Sequence, residues 1–115
     1  YNKSNYFKID VENLIMWNFT GSSYDNRTIY DAFHGLYTVT QRMKNFDLLL
    51  SNNVFLGSHK HELLGRLADQ FTRFKTGLEL LNIEEVYTDL GKSLYFQWIE
   101  EGEIIENKYF KLILF

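Results

Sequence analysis

A run of helical periodicity spans residues 59–82, and its main part, 63–81, sets the frame for the rest of the chain. Apolar residues fall at Leu63, Leu64, Leu67, Phe71, Phe74, Leu78 and Leu81. Intervals of three and four place them on one face of a helix, with Arg66, Asp69, Gln70, Arg73 and Lys75 around the rest. A second helix is expected over residues 29–52, where Ile29, Phe33, Leu36, Tyr37, Met43, Phe46 and Leu50 share a face. Gly35 and the strand formers Leu36-Tyr37-Thr38-Val39-Thr40 weigh against that helix; it is kept as one helix, with Gly35 the place where it could bend. Asp25 or Asn26 is the expected cap of the first helix, and Ser58 of the second. A short link at 51–58 makes the two helices antiparallel neighbours with facing apolar sides.

Elsewhere the pattern alternates with period two. Residues 6–12 place Phe7, Ile9 and Val11 opposite Lys8, Asp10 and Glu12, which predicts a half-buried strand. Residues 14–19 form an apolar run that pairs with it as a hairpin, or folds as a short helix capped by Asp10. Residues 85–90 alternate again. At the end of the chain, 94–100 and 103–115 flank Glu101-Gly102, which reads as a two-residue hairpin turn. That register pairs Trp98 with Ile105 and Leu94 with Tyr109. The expected fold is therefore α+β. An antiparallel sheet, made of an N-terminal strand or hairpin plus the C-terminal hairpin, is packed on one face by a two-helix antiparallel hairpin.

At 115 residues the chain is expected to be a single domain, residues 1–115. Ten Phe and eight Tyr predict a core built from rings. A net charge of −3 names no partner by its sign. With no cysteine there are no disulfides and no thiolate chemistry, and a cytoplasmic home is the expectation. No stretch has the length of a membrane span, so no membrane partner is expected. A start at Tyr1 rather than Met fits a domain or processed product of a longer chain.

Chemistry is sparse. Gly91-Lys92-Ser93 looks like the end of a phosphate loop, but Val86 stands where the motif needs glycine. His59 and His61 are two apart rather than four, a poor spacing for helical metal ligands. No nucleophile motif is present. No catalytic residue, cofactor or metal is assigned, and the chain is not expected to be an enzyme. The expected function is a non-catalytic protein-binding domain: inhibitor or immunity-type, adaptor or assembly module. Its partner is another protein or a second copy, met through Trp17, Tyr24, Tyr87 and Tyr95. The alternative is a nucleic-acid-binding domain using helix 59–82, with Lys60, Arg66, Gln70, Arg73 and Lys75 as contacts. Its order, a helix followed by a strand hairpin, is similar to that of winged-helix DNA readers in element order alone. The acidic tip Glu100-Glu101-Gly102-Glu103 sits badly against phosphate, so this partner is not favoured.

Overall fold

The computed structural model describes residues 3–8, 14–16, 25–53 and 55–113. A one-turn helix α1 (Lys3–Tyr6) precedes three long ones, α2 (Ile29–Ser51), α3 (Ser58–Leu80) and α4 (Asp89–Ile113). They form a bundle measuring 47 × 29 × 19 Å.

Along α2, Ile29, Ala32, Phe33, Leu36, Thr40, Met43 and Leu50 are buried, a single stripe at helical spacing. Thr40 sits in that stripe because its hydroxyl donates to the Leu36 carbonyl at 2.9 Å. Thr28 caps the helix, accepting from the Asp31 N–H at 3.1 Å, where Asp25 or Asn26 was expected. Asp25 instead clasps Arg27, with Nε to Oδ1 at 3.0 Å. Along α3, Leu63, Leu67, Phe71 and Phe74 face inward. Its N-cap is Gly57, at φ +62°, a backbone conformation that glycine adopts freely; Ser58 is already helical and does not cap. The antiparallel α2–α3 pair expected from the sequence is present.

The α+β expectation is overturned: no sheet exists among the described residues. The C-terminal β-hairpin over 94–100 and 103–115 is instead the single helix α4. Its buried residues Tyr95, Trp98, Ile105 and Tyr109 recur at intervals of three, seven and four, which is helical spacing. Gly102 is no turn residue. The Phe74 ring lies over it, and a Cβ there would stand 2.1 Å from Phe74 Cζ. Residues 85–90 form a 3₁₀ turn (Glu84–Val86) and then the cap of α4 rather than a strand. The Thr88 hydroxyl accepts from the Gly91 N–H at 3.1 Å. Gly91 itself lies against the Tyr6 carbonyl, a contact that no side chain would allow.

Of the expected N-terminal strand and hairpin, residues 9–13 and 17–19 lie outside the described residues. The rest makes isolated antiparallel bridges, Phe7 with Tyr87 and Ile15 with Thr28. The Phe7 bridge is closed by Lys8 N–H to the Val86 carbonyl at 2.8 Å and Thr88 N–H to the Tyr6 carbonyl at 3.0 Å.

Rings fill the core at this end. Phe33 meets Phe7 at 4.8 Å and Trp98 at 4.7 Å between centroids, and Tyr87 stacks on Tyr95 at 5.6 Å. Polar ties fasten α4 along its flanks. Lys44 pairs with Glu101 at 2.6 Å and Lys75 with Glu106 at 3.2 Å. Asp47 accepts from the Tyr109 hydroxyl at 2.5 Å and from Lys108 Nζ at 2.9 Å. Burial alone would raise the Asp47 pKa, but the hydrogen bonds from Lys108, Tyr109 and Ser51 together hold it below the usual carboxylate value.

Candidate functional site

Two surfaces stand out, one on each side of the bundle. The first is the outward face of α4. Phe96, Glu100, Glu103, Asn107 and Phe110 follow one another at intervals of four and three, with Ile104 beside them. All are exposed, and Phe96, Ile104 and Phe110 are 54%, 61% and 52% accessible. The apolar members carry the same Phe and Ile character as the core, yet no described residue covers them. The polar members between them are two carboxylates and an amide.

The second is a trough along the α2–α3 seam. No α4 residue lines it. One cleft of about 460 Å³ runs past Ala32, Gly35 and Val39 on α2 and Thr72, Thr76 and Gly77 on α3. A second, of about 770 Å³, continues past Phe46, Gly65 and Gln70, and Arg42 lines both. The trough is open because small residues occupy its floor. Beyond Phe46 it reaches Phe55 and His59.

Its polar groups are incompletely matched. Arg42 has no ion-pair partner among the described residues, whereas Arg73 is held by Asp69 at 3.1 Å and Arg66 by Glu62 at 3.0 Å. Gln70 is 8% accessible, and its enclosed Oε1 accepts no hydrogen bond. A buried carbonyl without a donor is costly.

The residues expected as protein contacts fall elsewhere. Trp17 and Tyr24 lie outside the described residues. Tyr87 and Tyr95 are buried, at 1% and 5% accessibility. Their hydroxyls donate to the Leu81 and Leu78 carbonyls at 2.7 and 2.6 Å, satisfying acceptors at the free end of α3. Burial pushes both phenols above their ordinary pKa. Of the residues expected to contact nucleic acid, Arg66 and Arg73 are paired within α3. Lys75 turns to Glu106 on α4, Gln70 faces inward, and Lys60 is half-buried at the start of the helix. They do not form one basic face.

His59 and His61 are exposed at the start of α3, and His34 is exposed on α2. No group of three or more His, Cys, Asp or Glu among the described residues is placed to hold a metal ion. No helix among them is long and apolar enough to cross a membrane.

Arg42, Gly65, Phe96, Ile104 and Phe110 carry no functional expectation in the sequence, and Gly35 only that of a bend. The interval from Phe96 through Glu103 to Phe110 was visible, but only to a reader who already took α4 as a helix. No family model, no curated protein and no solved structure matches this chain.

Proposed function

We propose that this chain is a helical protein-binding module, without catalytic machinery of its own, and that its contact face is the outward side of α4. The observation that carries this reading is the exposed row Phe96, Ile104 and Phe110, set between Glu100, Glu103 and Asn107. Large apolar side chains set out along one helix face among polar residues are a common make-up of a contact surface. Cysteine-free composition suits a reducing compartment such as the cytoplasm. The nucleic-acid reading draws no support from α3, where Arg66 and Arg73 are already neutralised by their own neighbours.

The test is a photo-crosslinking amino acid placed at Phe96 or Ile104 in the native host, with Glu79 on α3 as the control position. The expected result is a discrete protein adduct from the α4 positions and none from Glu79. Equal or absent crosslinking at all three positions overturns the reading.

A further inference from the structure

We propose that the α2–α3 trough receives the outward face of α4 from a second copy of this chain, so that copies associate head to tail. The inference rests on the reading of that α4 face as a contact surface, and names its partner.

The glycines inside the long helices separate into two groups. A Cβ at Gly77 would meet Leu36 Cδ1 at 3.1 Å, one at Gly91 the Tyr6 carbonyl at 2.0 Å, and one at Gly102 the Phe74 ring. Those glycines are explained inside one copy. A Cβ at Gly35 or Gly65 would meet nothing within 4 Å. Each weakens its helix relative to alanine, with no internal contact in return. Both line the trough, where absent side chains let another helix approach closely.

The outward α4 face fits this floor in two respects. Its length matches: Phe96 to Phe110 and Ala32 to Phe46 each span about 21 Å of helix. Its charge matches, because Glu100 and Glu103 offer carboxylates to Arg42. Gln70, 8% accessible and with no donor for its Oε1, lines the same floor. The two surfaces lie on opposite sides of one bundle, so the contact is heterologous and repeats from copy to copy. One helix face is a small interface, which sets an expected Kd on the order of 10 μM.

Sedimentation of the full chain from about 1 to about 500 μM brackets that value. The average mass should rise past that of a dimer. Gly35→Leu with Gly65→Leu fills the trough, and Phe96→Ser with Ile104→Ser blunts the stripe. Each double variant alone should stay monomeric, while the two mixed should form a 1:1 complex that grows no further. Arg42→Glu changes only an exposed side chain, and should weaken association about tenfold even if the leucine variant fails to fold. A wild-type chain that stays monomeric overturns the proposal, as does a mixture that fails to pair from two folded variants. If the Phe96 crosslinker captures a different protein while the chain remains monomeric, this inference falls and the proposed function stands. If no adduct forms at all, both fall.

Discussion

Gly102 and Gly65 are both helical glycines, and the same substitution should move stability in opposite directions. At Gly102 a methyl group collides with the buried Phe74 ring. Gly102→Ala should therefore lower unfolding stability by about 2 kcal/mol, seen as a fall in the urea midpoint at unchanged slope. At Gly65 or Gly35 the methyl enters open space, so alanine should raise stability by up to about 1 kcal/mol. A residue's type was plain in the sequence; its neighbour was not. Glu101-Gly102 has the composition of a hairpin turn, and only the ring stacked on it gives the glycine its meaning. Tyr87 repeats the lesson, since a tyrosine suited to an interface is enclosed and donates to Leu81. Tyr87→Phe removes one of the two hydrogen bonds that this carbonyl accepts, the other coming from the Ile83 N–H at 2.8 Å, and should cost about 1 kcal/mol in the same urea experiment.

At the scale of elements, α2 and α3 were legible because their apolar residues form long unbroken stripes and their exposed faces are mainly polar. α4 was not, because it carries apolar residues on both sides. Leu94, Phe96 and Trp98 mimic strand alternation over a short window, although Phe96 is exposed and Trp98 buried. Exposed apolar residues on the outward face thus disguised the helix as a strand. Hydrogen exchange tests the element directly: amides from Glu100 to Ile104 should be protected as continuous helix, where a hairpin tip would exchange fast. Thr88→Ala removes the oxygen that accepts from Gly91 and should cost about 1 kcal/mol by thermal or urea unfolding. That cap was hidden for the same reason, since an expected strand has no N-terminus to cap.

For the whole molecule, the ring-rich core and the facing of α2 on α3 could be anticipated, but the ties between α4 and its neighbours could not. Asp47 and Lys108 meet across 61 positions of sequence, and no local pattern couples them. These ties give stability a pH dependence. For both Asp47 and Glu101 burial pushes the pKa up, but Lys108 and Tyr109 on one side and Gln97 and Lys44 on the other outweigh it, so both fold with lowered values. A lowered folded pKa stabilises above the unfolded values of 3.8 and 4.5, and that contribution is lost as pH falls through the folded ones. The melting temperature should therefore drop below about pH 4.5, and Asp47→Asn with Glu101→Gln should make that drop shallower while lowering the melting temperature at pH 7. The antiparallel bridge of Phe7 to Tyr87 has a practical outcome of its own. It pins the first residues beside the α3–α4 connection, at the opposite pole of a 47 Å rod from the tip carrying Phe55 and Leu56. A fluorophore on Asn5 and another on Asn53 would mark the two poles, and if copies form a string, the spacing between dyes would report how each rod is staggered on the next.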